Sequence, residues 1–240
     1  MYTKVAWLVL PILFLGMPGR AATLLNYSLN GSTSVTSKDA NVTATTFGHG
    51  IGFNGNGTDG LANTGVSAGN AFNRAMAASE VDAVAGNDYY TFTITASAGQ
   101  TLNLSTLTFN IATQGGTSSG SDATFFVRTS LDNFSTTVGS GEVSTPSTTL
   151  SAYTPVTIDL SGAAYQNLST ITFEIFDYNT IGNVDPLTSR AIDRIQTVAL
   201  TGAVVAAAVP EPSSTLLLGG SFLLFAACQV IRRGRRSLEI

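Results

Sequence analysis

Between residues 22 and 208, acid–base and ligand chemistry falls to thirteen carboxylates and one histidine. His49 would have to be the base of any Ser-His-Asp mechanism, with a carboxylate behind it and a nucleophile in front. No G-x-S-x-G elbow supplies that nucleophile, so His49 reads as a solvated loop residue. Two-carboxylate hydrolysis needs an acid and a base or nucleophile flanking one bond. Glu142, Glu174, Asp177 and Asp193 are the acids that could converge for it. Asp193, at the entry of the last predicted strand, also suits a structural Ca²⁺, alongside backbone carbonyls and another acid. Its plainer role is to cap a turn or pair with Arg190. Arg128 is expected to pair with Asp132 or Glu174. Tyr89, Tyr153, Tyr165 and Tyr178 are the aromatic platforms on offer, although packing is the commoner fate of such residues.

Residues 48–60 have the glycine density of a phosphate-binding loop. They lack the Gly-Lys-Ser/Thr ending and the strand–helix unit around it, so residues 48–69 are expected to be a flexible surface loop. Cys228, the only cysteine, lies in an apolar C-terminal stretch. Residues 22–208 therefore have neither a disulfide nor a thiol nucleophile. One histidine also rules out a His-rich metal site within a monomer.

Charge narrows the partners. The same segment carries five cations against thirteen carboxylates, a net charge of −8. Nucleic acid, which needs a basic surface, is excluded as a partner. Asn-x-Ser/Thr sequons at Asn26, Asn30, Asn41, Asn56, Asn103, Asn133 and Asn167 follow from a composition rich in Asn, Ser and Thr.

The elements that must position these residues are strands. Tyr90, Phe92 and Ile94 alternate with threonines, as do Ile171 and Phe173. Leu107, Phe109 and Ile111 alternate with Thr106, Thr108 and Asn110. Period two with β-branched and aromatic residues marks half-buried strands. Phe125 and Val127, with Phe126 and Arg128 opposite, mark another. So do Val156 with Ile158, residues 192–200 with Val198 and Leu200 inward, residues 24–29, and more weakly 42–47. Gly/Ser/Asn clusters at 97–100, 115–120, 139–141 and 179–186 read as turns. Residues 71–84, rich in alanine, are the one internal helix candidate, a short helix or a loop insertion. Many short strands without sustained helical periodicity predict an all-β sandwich.

Both ends read as addresses. Lys4, an apolar run over 5–17 and the small residues Gly19 and Ala21 form a secretory signal peptide cleaved after Ala21. Trp7, the sole tryptophan, falls within it. At the other end, 18 residues from 214 to 231 carry no charge. As a helix they would extend about 27 Å, close to the hydrocarbon thickness of a bilayer. Arg232, Arg233, Arg235 and Arg236 follow, a basic stop that stays cytoplasmic.

Val209-Pro210-Glu211-Pro212, the apolar stretch and the arginine cluster together resemble the PEP-CTERM sorting signal of Gram-negative bacteria. The resemblance covers about 28 residues of 240. It implies recognition by exosortase and cleavage near Pro-Glu-Pro. It also implies export through the inner membrane, transient anchoring there by the C-terminal helix, and delivery to the cell surface or an exopolysaccharide matrix. A softer resemblance, over most of 88–202, is to the jelly-roll domains of such proteins. It rests on residues 89–94, 104–109, 126–134, 172–176 and 191–195. Related sandwiches bind carbohydrate or hold Ca²⁺, and no other cofactor is expected.

The expected layout is a signal peptide over 1–21, a β-sandwich over 22–202, a linker over 203–208 and a sorting signal over 209–236. The expected function is non-enzymatic surface or matrix display. A carbohydrate-binding module is the alternative, and a glycoside hydrolase ranks third.

Overall fold

Alternating side chains become the inside and outside of two facing antiparallel sheets. The computed structural model describes residues 21–29, 32–54, 71–74, 77–116, 120–181 and 191–208. The chain divides into two compact units, Met1–Val205 and Ala206–Ile240; the second is described only over 206–208. The expected leader up to Arg20 and the whole sorting tail from Val209 lie outside the described residues. No helix among the described residues is long and apolar enough to cross a membrane.

Sheet A contains β1 (Ala22–Tyr27), β2 (Ser37–Lys38), β5 (Ala71–Arg74), β7 (Gln100–Gln114), β10 (Thr154–Asp159) and β12 (Ile192–Ala206). Its order is β10-β7-β12-β1-β2, with β5 also beside β12. Sheet B contains β3 (Val42–Ala44), β4 (Gly48–His49), β6 (Tyr89–Ala96), β8 (Ser121–Thr129), β9 (Gly139–Thr145) and β11 (Thr170–Asn179). Its order is β3-β6-β11-β8-β9, with β4 also beside β6. The all-β sandwich expected from the sequence is the observed class.

The core lies between the sheets and is aromatic at its centre. Phe92 stacks on Phe173 at 5.1 Å between centroids and meets Tyr27 edge-on at 5.5 Å, while Phe47 stacks on Tyr90 at 5.5 Å. Tyr27 is fully buried, and its hydroxyl donates to the Thr45 carbonyl at 2.6 Å. That bond removes the cost of an unpaired buried polar group. On the outer face of sheet B, Thr93 bonds Thr172 at 2.7 Å and Thr95 bonds Thr170 at 2.8 Å. Such cross-strand pairs fix register as well as adding stability.

Several expectations change. Residues 71–84 are not one helix: the chain forms β5 and then α1 (Glu80–Gly86). The helix begins where Ser79 caps it, its hydroxyl accepting from the Asp82 amide at 3.2 Å, with Glu80 and Asp82 in the first turn. It ends at Asn87, which takes the left-handed conformation at φ 59°. α1 packs on the outer face of sheet B, where Ala77, Ala83, Phe126 and Phe176 make a second small core. Phe126 points away from the main core as expected, yet it is buried under this helix.

The glycine-rich stretch is ordered over its first part. β4 and a 3₁₀ turn (Ile51–Asn54) pack on the start of β6 through Gly50 N–H to the Tyr89 carbonyl at 2.7 Å and Gly52 N–H to the Asn87 carbonyl at 3.2 Å. Residues 55–69 of that expected loop lie outside the described residues. β12 runs on to Ala206, through most of the expected linker.

Residues 139–141 are not a turn but open β9, which pairs with β8 from Gly139↔Val127 to Thr145↔Ser121. The glycines allow β9 to approach β10 closely. A Cβ on Gly139 would sit 2.6 Å from Ile158 Cδ1, and one on Gly141 would collide with a Val156 methyl. Gly141→Val, favourable by strand propensity alone, is therefore expected to destabilise the domain by about 1–3 kcal/mol through overpacking. A lower urea midpoint at unchanged m would record it.

Thr197 sits at φ 52°, an uncommon conformation for a β-branched residue. The inward–outward alternation of β12 breaks here. Val198 and Leu200 point inward after it, and Asp193 and Ile195 point inward before it. Strict alternation from Val198 would have turned Asp193 outward.

Candidate functional site

The sandwich has two unlike ends. At one, Ala22 pairs with Gly202, so the chain enters and leaves the fold side by side. At the other, β7 ends, β8 begins, β9 and β11 end, and β10 and β12 begin. The candidate site is at this second end, where the chain crosses from β9 in sheet B to β10 in sheet A. A cleft of about 350 Å³ is lined there by Asp122, Glu142, Val143, Ser144, Ser151, Ala152 and Thr154. That volume lies within the range of about 300–1,000 Å³ typical of small-ligand sites.

Strand register explains the pairing of its two acids. Asp122 lies opposite Ser144, and Thr124 opposite Glu142. Asp122 and Glu142 are therefore diagonal neighbours on the outer face of one hairpin. Asp122 accepts from the Thr180 hydroxyl at 3.3 Å. Glu142 is exposed. Across the cleft, Ser151 Oγ donates to the Ala152 carbonyl at 3.0 Å and accepts from the Thr113 amide at 3.1 Å. Of the four acids singled out from the sequence, only Glu142 lines this cleft. Its partner Asp122 was not among them.

Asp193 lies behind the cleft rather than in it. It is fully buried between the sheets. Its carboxylate accepts from Thr113 Oγ1 at 2.5 Å and from the Asn179 amide nitrogen at 3.2 and 3.4 Å. Thr113 also bonds Ser121, and Asn179 donates to Ser121 at 2.5 Å. Burial pushes the Asp193 carboxyl up to about 7, against the pull of Thr113 and Asn179. The groups around it donate hydrogen bonds to it, which suits a carboxyl better than a cation. No three His, Cys, Asp or Glu side chains gather to hold a metal ion among the described residues. Arg190, its other expected partner, lies outside them.

The knot is continuous with the cleft. Thr113 and Ser151 exchange backbone and hydroxyl bonds, and Asn179 Oδ1 accepts from the Asp122 amide at 3.3 Å. Asp193 thus holds, through one partner each, both walls of the cleft.

The remaining candidates are elsewhere. Arg128 does not pair as expected. Its guanidinium bonds Glu80 at 2.7 Å and the Phe134 carbonyl at 3.0 Å. It lies over the Phe126 and Phe176 rings at 5.5 and 5.9 Å, pinning α1 to the sheet. The bond to Arg128, with help from Thr137, holds the Glu80 carboxyl below its ordinary range. Asp132 instead accepts the Ser135 and Thr136 amides at 3.3 and 2.9 Å. Glu174 faces Arg128 in register, but burial raises its carboxyl more than the guanidinium lowers it.

Asp177 is buried. His49 is half-buried on β4, its Nδ1 2.9 Å from the Gly50 carbonyl, and is not a loop side chain. Burial raises the phenols of Tyr89, Tyr153 and Tyr165. Tyr89 and Tyr178 pack against the α1 core, and Tyr165 packs against the main one. None of the four lines the cleft. Val209, Pro210, Glu211, Pro212 and the four arginines of the tail lie outside the described residues.

No family model matches the chain, and no curated protein matches it in sequence. Solved structures with a similar outline include the K1 and K3 cleaved adhesin domains of Lys-gingipain from Porphyromonas gingivalis W83. They are 12% and 13% identical, cover 76% and 75% of this chain and 98% of each domain, and superpose with TM-scores of 0.35 and 0.38. Another is TmCBM61, solved with β-1,4-galactotriose, at 9% identity, 72% of this chain, 92% of that one and a TM-score of 0.25. Likeness at these scores carries no argument about what this chain binds.

Proposed function

We propose that the chain is an exported, non-enzymatic surface or extracellular-matrix protein, trimmed at both ends and sorted by exosortase. The observation that carries this reading is the order of parts in the tail: Pro210-Glu211-Pro212, a charge-free membrane length, then four arginines, behind an N-terminal leader. The fold is suited to both cuts. β1 starts at Ala22, directly after the expected leader cleavage at Ala21, and every buried residue of the main core among the described residues lies between Leu24 and Leu200, with Val204 packed against them. Cleavage near Pro210 would thus leave the core intact, and residues 22–208 are expected to fold alone. The pairing of the first and last strands within one sheet fits the jelly-roll type.

A non-enzymatic role is supported by the placement of the four acids singled out from the sequence: only Glu142 lines the cleft, while Asp177 and Asp193 are buried away from it, so the four do not converge on one bond.

Removing residues 210–240 is expected to move the protein out of the membrane and away from its surface destination. The melting transition of the domain should stay the same. Unchanged fractionation would sink the sorting reading. Intact mass of the surface form would report both cuts at once.

A further inference from the structure

The cleft between β9 and β10 plays no part in the sorting reading, yet buried polar groups brace its walls. Asp193 is the clearest sign. A carboxylate buried between two sheets opposes folding unless it is fully paired. Here its hydrogen bonds lead to Thr113 and Asn179, which in turn fix Ser151 and Asp122 on the two walls. A buried network that braces a surface cleft is the support a binding site needs to keep its shape. A packed apolar pair would have joined the sheets more cheaply.

The lining defines the ligand. Two carboxylates accept hydrogen bonds and do not donate when ionised, while Ser144, Ser151 and Thr154 carry hydroxyls that do either. Ala152, exposed, gives an apolar contact, while Val143 beside it is buried in the main core. Such a surface matches a molecule dense in hydroxyl donors with aliphatic C–H faces between them. None of the described residues lining the cleft is cationic, so uronate or sulfated chains meet two like charges there.

We infer that this cleft binds a neutral polyhydroxylated ligand, a glycan chain, with Asp122 and Glu142 taking its hydroxyls and Asp193 acting as a positioning residue behind them.

The test uses residues 22–208 against immobilised neutral oligosaccharides (gluco-, manno- and galacto-hexaoses in both anomeric linkages) beside oligouronates. At least one neutral oligosaccharide should bind, and the oligouronates should not. The double variant Asp122→Asn/Glu142→Gln changes only side chains outside the main core, so its melting temperature should hold. Its affinity should fall by about tenfold or more, the loss expected for a charge-assisted hydrogen bond. A blank neutral panel, binding indifferent to the double variant, or binding confined to uronates would each overturn the assignment. So would a calcium-induced rise in melting temperature that the double variant abolishes, which would make the pair a cation site. Fractionation of the full chain reads the display proposal separately, so a blank panel with correct sorting removes the ligand and leaves the sorting.

Discussion

Phe92→Ala should cost the domain about 3–5 kcal/mol, the largest single-residue loss expected here. Phe92 is only 1% exposed and touches aromatic rings from both sheets: Tyr27 of β1, and Phe173 beside it on β11. Truncation removes the transfer energy of the ring and leaves a void, because neighbours on hydrogen-bonded strands cannot close in. A domain of this kind has about 5–15 kcal/mol in all, so the variant would sit near the edge of folding. Phe126→Ala should cost less. Its cluster has four buried members and is closed by a seven-residue helix that can settle into the space. Urea denaturation of both variants would check the order. Equal losses would mean that α1 is held as rigidly as the sheets.

The second large effect is a pH dependence with an unusual sign. Asp193 has an ordinary value of 3.8 and is raised to about 7 by burial in the folded state. Its folded form therefore binds a proton more tightly than its unfolded form. The stability this contributes is fully present below pH 3.8 and is lost as pH rises through about 7. Unfolding free energy should fall across that window by a few kcal/mol, on the order of 4 at most. The trend opposes the usual gain of stability as surface carboxylates ionise. Asp193→Asn keeps an acceptor for Thr113 and removes the charge. It should raise stability at pH 8 and flatten the slope between pH 4 and 8. Denaturant midpoints over that range would measure it, and parallel curves for the two proteins would refute the assignment.

Much of the sandwich was legible because its central strands obey one rule on both faces. β6, β7 and β11 set threonines against apolar residues with few exceptions, and those strands formed where alternation placed them. The failures have local causes. β9 looked like a turn because Gly139-Ser140-Gly141 is turn composition, whereas its glycines answer to the side chains of Val156 and Ile158. The doublets Phe125-Phe126 and Ile175-Phe176 were a readable sign that both faces of β8 and β11 are covered. What covers them, α1, could not be located without its cap at Ser79. In the cleft, Glu142 was singled out and Asp122 was not, since only hairpin register joins two acids that far apart in the chain. Asp193 was read as a calcium, turn or Arg190 partner at the strand's entry; its burial was not legible, because the alternation set by Val198 and Leu200 breaks at Thr197.

That single residue sets the parity of a strand. Thr197 adds one step to β12, and every side chain before it is turned over relative to every side chain after it. A deletion there would act on the sheet as a frameshift acts on a message. Arg194 and Gln196 would face the core, Asp193 and Ile195 would face water, and the cleft would lose its brace with no residue of the site altered. The end of the sandwich that carries the cleft is held in register by a residue that lines no part of it.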